Sequence, residues 1–194
     1  MTGKLFYLMG PSGSGKDSLL RMCRQRLCGG TLMIAHRYIT REPDLNGENH
    51  VALTQQEFNI RSERGLFAME WQANGLCYGI GREVDLWLAH GCDVLVNGSR
   101  AFIDRARERY GSTLVPILVR VNEDMLMQRL VNRGRESMAD IERRVLRSAR
   151  FADKAPVGTR VVDNNGELER AFRHLADILT GETPGRIEGM IRGT

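Results

Sequence analysis

Residues 8 to 20 read L-M-G-P-S-G-S-G-K-D-S-L-L. Gly10, Gly15 and Lys16 match the spacing G-x-x-x-x-G-K-[ST], in which glycines let consecutive backbone N–H groups turn inward and a lysine bridges the outer phosphates of a nucleotide. The position that ordinarily offers a hydroxyl to a magnesium ion is Asp17. A carboxylate ligates Mg²⁺ as well as a hydroxyl does, and Ser18 stands one residue further on. A nucleoside triphosphate is therefore the expected ligand of Gly10, Pro11, Ser12, Gly13, Ser14, Gly15, Lys16, Asp17 and Ser18, with Asp17 or Ser18 on the metal.

The flanks agree with that reading. K-L-F-Y-L-M (4–9) is a short apolar run, as a buried strand would be, and from residue 17 to 27 the pattern turns helical, with Leu19, Leu20, Cys23 and Leu27 on one side. Further strands are expected at 31–36, 92–97, 114–121 and 160–163, and helices at 82–89, 100–109, 123–132, 138–151 and 166–179. Such alternation implies a parallel sheet covered on both faces, an α/β three-layer sandwich of the P-loop NTPase class. Residues from about 37 to 81 break the rhythm and are expected to form an inserted acceptor-binding subdomain. This domain is expected to run over 1–182, with 183–194 as a loose tail.

A chain of 194 residues suits one such domain. It carries a net charge of +4, which favours anionic ligands, and its basic residues are almost all arginine; the lysines are Lys4, Lys16 and Lys154. A compact ammonium at position 16 suits a place between β- and γ-phosphates that a planar guanidinium would fill differently. The short apolar run before Gly10 is too brief for a signal segment, and no uncharged stretch is long enough to span a bilayer, so a cytoplasmic protein with no membrane partner is expected. Cys23, Cys28, Cys77 and Cys92 form no C-x-x-C pair and have no histidine at zinc spacing. Reduced thiols are expected. Nucleic-acid binding is disfavoured, since the arginine stripe lacks interleaved aromatics.

The strand expected at 92–97 ends V-N-G-S-R, uncharged at Asn97 and Ser99, where phosphate-loop enzymes often carry an acid for the metal. The acid is expected to have moved across to Asp17; the plainer alternative is that Asp17 is a helix-start residue favoured by the macrodipole. Arg129 and Arg133 lie four apart on one helical face, followed by Arg135, and Arg143, Arg147 and Arg150 form a second stripe with Arg144 beside it. Converging guanidinium groups stabilise a transferring phosphoryl group, so an arginine lid is expected. For Arg147 and Arg150 a solvated, salt-bridged face is the competing expectation.

G-P-S-G-S-G-K, T-R-E-P, Gln56-Glu57-Phe58, G-L-C-Y-G, R-L-V-N-R-G-R-E-S and V-V-D-N-N follow one another in an order and spacing that resembles the guanylate kinase family of nucleoside monophosphate kinases, from Gly10 to about Leu179. The resemblance implies that Lys16 and its loop hold ATP, that Arg129, Arg133 and Arg144 close on the phosphates, and that Asp163, Asn164 and Asn165 fall near the adenine. The acceptor side departs from the family. Arg41 is kept, but Asp44 stands where a second phosphate-gripping arginine is expected, His50 where a tyrosine is, Met69 where a glutamate reads guanine (Glu70 being out of register), and Ile80 where a hydroxyl touches the base. A site built to hydrogen-bond a base loses its discrimination with those partners. G-K-D-S, A-N-G-L-C-Y-G and V-L-V-N-G-S-R are similar instead to the branch that phosphorylates ribose 1,5-bisphosphate in bacterial phosphonate breakdown. That branch implies an acceptor with two phosphates and ring hydroxyls, for which Arg41, Tyr78, Asn97, Ser99 and Arg100 are the candidate contacts. Guanylate kinase itself is one alternative. A non-catalytic guanylate-kinase-like binding module is another, though such a module needs neither Gly15-Lys16 nor lid arginines.

Overall fold

The structure is a computed structural model that describes residues 2–27, 30–42, 48–134, 137–152 and 155–181, with the side chains of Arg133 and of 147–152 outside that description. Asp44, Arg135, Cys28, the tail 183–194 and the side chains of Arg133, Arg147 and Arg150 thus lie outside the described residues.

The chain begins β1 (Leu5–Met9), α1 (Lys16–Arg26), β2 (Leu32–Ile34), β3 (Arg37–Ile39), β4 (Val51–Ala52) and α2 (Gln55–Glu63). It continues β5 (Phe67–Ala73), β6 (Leu76–Gly81), α3 (Glu83–Ala89), β7 (Asp93–Asn97), α4 (Ile103–Tyr110) and β8 (Leu114–Arg120). It ends α5 (Glu123–Arg133), α6 (Met138–Ala152), β9 (Arg160–Asp163) and α7 (Leu168–Thr180). The expected strands and helices outside 37–81 are all present. The segment 100–109 differs: the Ser99 hydroxyl accepts the Ala101 N–H and caps a 3₁₀ turn at Arg100–Phe102 before α4 starts.

The main sheet is ordered β2-β7-β1-β8-β9, and every pairing in it is parallel. All five residues of β1 are buried, because helices cover both of its faces. Phe6 and Leu8 pack toward α1 and α7, against Leu19, Cys23, Phe172 and Leu175. Leu5, Tyr7 and Met9 alternate to the other side, against Val84 and Leu88 of α3 and Ile103 and Ala106 of α4. This central strand delivers the glycine loop at its carboxyl end, with β7 beside it.

The residues between 37 and 81 build a second sheet, ordered β4-β3-β6-β5, in which β3–β6 and β6–β5 are antiparallel. One face packs Tyr38, Phe67 and Cys77 on Phe58 of α2. The opposite face brings Met69 and Ile80 into the same core cluster as Tyr7 and Val84. No helix among the described residues is long and apolar enough to cross a membrane.

Candidate active site

The glycine loop takes the form its sequence requires. Gly13 and Gly15 have φ of 94° and 91°, a region costly to side chains with a Cβ. Gly15 is the N-cap of α1 and brings no capping side chain, so the first N–H groups of the helix are left for an external anion. Lys16 folds back on the loop, its Nζ donating to the carbonyls of Gly10 and Pro11 at 2.9 Å each. Burial lowers its pKa from 10.5 to about 8; Asp17 opposes the shift, and Arg37 and Arg100 add to it.

Two expected nucleotide-side residues grip this loop from behind. The Asn164 amide, 1% exposed at the end of β9, donates to the Ser14 carbonyl at 2.7 Å. Arg129 of α5 donates to the same carbonyl at 3.4 Å and to the Asn164 carbonyl at 2.9 Å. A Cβ on Gly15 would lie 2.3 Å from the Asn164 amide nitrogen, so the glycine is also needed for this approach. Asn164 therefore faces the loop backbone. Its neighbours Asp163 and Asn165 bond to each other, and Arg120 pairs with Asp163 at 3.2 Å. On α6, Arg143 is an exposed partner of Asp140, while Arg144 is half-buried.

Asn97 is the hub of a second group of polar contacts. It is 2% exposed at the end of β7, and its amide nitrogen donates to Asp17 at 3.3 Å and to Glu48 at 3.2 Å. Its Oδ1 is buried and has no partner among the described residues. Glu48 forms a two-pronged ion pair with the Nε and Nη2 of Arg37. Burial pushes the Glu48 carboxyl up, but Arg37 and Asn97 outweigh it and hold the pKa below the ordinary value. Arg37 lies over the Tyr78 ring, its Cζ 5.0 Å from the centroid, and Tyr78 is stacked on Trp71 at 5.6 Å and 2°.

The other acceptor candidates fall into place differently. Ser99 is held by its backbone: the Tyr7 hydroxyl donates to its carbonyl and accepts its N–H, both at 2.9 Å, while its own hydroxyl caps the 3₁₀ turn. Gly98 permits this approach, since a Cβ there would lie 2.1 Å from the Tyr7 ring. Arg100 is half-buried and contributes to the positive field at Lys16. Arg41 is exposed and lines a separate hollow of about 300 Å³ with Thr40, Glu42, Leu53, Thr54 and Gln55. Met69 and Ile80, 2% and 0% exposed, are cross-strand neighbours within the core.

Arg37, Glu48 and Tyr7 escaped the sequence reading. The one local signal was a charge alternating with apolar residues in R-Y-I, which by itself marks nothing. For a metal, the fit is good: the Asp17 carboxylate, the Ser18 hydroxyl and the orphaned Asn97 Oδ1 are oxygen donors of the kind Mg²⁺ takes, and Mg²⁺ sites commonly use one or two carboxylates together with substrate phosphates.

No family model matches the chain. Among curated proteins it is 52% identical to the ribose 1,5-bisphosphate phosphokinase PhnN of Thiobacillus denitrificans, over 92% of this chain and 93% of that one. It is 48% identical to the protein of the same name from Yersinia pestis, over 93% of each chain, and 46% identical to that of Psychromonas ingrahamii, over 93% of this chain and 91% of the other. Among solved structures, a guanylate kinase from Anaplasma phagocytophilum superposes with a TM-score of 0.69 at 17% identity, covering 95% of this chain and 88% of that one, which establishes a shared fold. With relatives this similar along nearly its whole length, the chain belongs to the ribose 1,5-bisphosphate phosphokinase family.

Proposed function

We propose that the protein transfers the γ-phosphoryl group of ATP to the 1-phosphate of ribose 1,5-bisphosphate, giving 5-phospho-α-D-ribosyl 1-diphosphate and ADP, in the cytoplasm and in the service of phosphonate breakdown. The observation that carries this is similarity to ribose 1,5-bisphosphate phosphokinases along nearly the whole chain, through a glycine loop whose geometry is intact. An oxygen of the acceptor's 1-phosphate attacks the γ-phosphorus, the bond from that phosphorus to the bridging oxygen breaks, and ADP leaves. A phosphate monoester has a second pKa of about 6, so the attacking oxygen is already ionised at neutral pH and no general base is required.

The chain's task is then positioning and charge stabilisation. Gly10, Pro11, Ser12, Gly13, Ser14 and Gly15 cradle the triphosphate, and Lys16 swings from the Gly10 and Pro11 carbonyls to its outer oxygens. Arg129 and Asn164 hold the Ser14 peptide, and Arg133 and Arg144 complete the positive shell. Asp17 and Ser18, with the Asn97 oxygen, would hold Mg²⁺, which when bound offsets the charge on the β- and γ-phosphates. Tyr78, Asn97, Ser99 and Arg100 serve the acceptor, while Arg41 lines the separate hollow beside α2. Phosphorus NMR of a reaction with Mg-ATP and ribose 1,5-bisphosphate tests this. The expected product shows the coupled pair of a C1 diphosphate beside an unchanged 5-phosphate; a monophosphate spectrum with ATP intact contradicts the proposal.

A further inference from the structure

The Arg37 guanidinium has no task in the reaction just described. Arg37, Ile39, Tyr78, Ile80, Met69 and Trp71 share one face of the second sheet, as the pairings Arg37–Ile80, Ile39–Tyr78, Met69–Ile80 and Trp71–Tyr78 require. Arg37 is the single charged member of that row. Its side chain is 15% exposed and that of its partner Glu48 is 7% exposed. Burying such a pair is a poor device for stability, since apolar side chains of similar volume often do as well or better. Its placement also has the features of a prepared binding group: Glu48 fixes the guanidinium by two bonds, Asn97 fixes Glu48, and the aromatic pair Tyr78–Trp71 supports it from below.

We propose that Arg37 anchors the unreactive 5-phosphate of the acceptor and so selects for a bisphosphate; this rests on the ribose 1,5-bisphosphate reading above. An acceptor with two phosphates needs a cation at each end, and the reacting end must face Lys16. The side chains running Asp17–Asn97–Glu48–Arg37 lead from the start of α1 across to the second sheet, so Arg37 is joined to the loop end of α1 by continuous contacts. Among the described residues Glu48 engages two of the five N–H groups of the guanidinium, and a planar fork suits phosphate oxygens. Arg41, by contrast, faces the hollow beside α2. Glu48 and Asn97 are positioning residues in this arrangement, acting through Arg37.

Ribose 5-phosphate, which carries only the phosphate in question, is the probe. Its Kd for the wild type, for Arg37→Lys and for the charge-neutral pair Arg37→Met with Glu48→Gln is read by calorimetry, together with the Kd for ATP and the thermal midpoint. The double substitution avoids stranding a buried carboxylate, and Arg37→Lys keeps the ion pair while losing the fork. Losing charge-assisted bonds to phosphate corresponds to roughly 10–100-fold in affinity. The double variant should weaken ribose 5-phosphate by that factor, and at least tenfold more than it weakens ATP, with Arg37→Lys in between; KM for ribose 1,5-bisphosphate should rise in parallel. Equal losses for ribose 5-phosphate and ATP, or ribose 5-phosphate binding that survives in a folded double variant, overturn the assignment of Arg37. Wild-type protein that binds ribose 5-phosphate through Arg37 yet transfers no phosphoryl group to the bisphosphate contradicts the proposed function while upholding the anchor.

Discussion

Lys16 makes a prediction that can be read without any substrate. Its ammonium is turned into the loop, where burial lowers the pKa from 10.5 to about 8. At about 1.4 kcal/mol per pH unit, that drop is worth between about 3 and 4 kcal/mol. The sign follows from proton counts. Below about pH 8 both folded and unfolded chains hold the proton, and the cost of the buried charge is fully present. Between about pH 8 and 10.5 the folded chain has released the proton and the unfolded chain has not, so stability rises with pH. Lys16→Met removes the titration at nearly constant volume. The unfolding free energies of wild type and Lys16→Met, measured in urea at a series of pH values without nucleotide, should differ by a constant up to about pH 8. From there the wild type should gain on the variant, by about 2 kcal/mol at pH 9.5. Saturating Mg-ATP should flatten the wild-type slope, because phosphates hold the ammonium charged. A difference that stays flat from pH 8 to 10 without nucleotide would refute the claim that this lysine is held desolvated.

Four further outcomes are expected. Asp17→Ser and Asn97→Asp should each weaken activity and its Mg²⁺ dependence, the second by crowding a third carboxylate beside Asp17 and Glu48. The double variant should recover part of the loss, with a coupling of about 0.5–3 kcal/mol, and strict additivity in magnesium titrations of all four proteins would show that the two residues share no ion. Asn164→Ala removes the shorter of the two hydrogen bonds to the Ser14 carbonyl and should cost about 1–3 kcal/mol of stability while raising the KM for ATP, so an unchanged thermal midpoint and KM would count against the clamp. Arg133→Ala should lower kcat and kcat/KM together and Arg147→Ala should do far less; equal losses would erase the distinction between lid and surface stripe. Gly98→Ala pushes a methyl into the buried Tyr7 ring and should cost about 1–3 kcal/mol in denaturant unfolding, a cost whose absence would mean the ring moves freely aside.

What could be read from the sequence follows from range. The order strand, glycine loop, helix is local, and apolar periodicity places β1, β7, β8 and α7 because each buries a contiguous or regularly spaced surface. In the second sheet β3 and β4 have only three and two residues, too few for a period to show. The ion pair of Arg37 with Glu48 joins positions 11 apart, and Asn97 reaches 49 residues back to the same carboxylate. Nothing in either segment alone marks that meeting. Asn164 shows a subtler gap. D-N-N identifies the segment by resemblance, but which way the asparagine turns depends on the space that Gly15 leaves open. The exchange of base-reading groups for Met69 and Ile80 was legible as chemistry, and both prove to be core residues.

The central claim is the identity of the acceptor, and a side-by-side transfer assay tests it most directly. Purified protein with Mg-ATP is offered ribose 1,5-bisphosphate and GMP at equal concentration, and ADP release is followed. Met69 and Ile80 present no polar group to a base, while Arg37 and Lys16 present cations to a bisphosphate, so ADP should be released with the sugar and scarcely with GMP. A rate with GMP equal to or above the rate with ribose 1,5-bisphosphate would contradict the account.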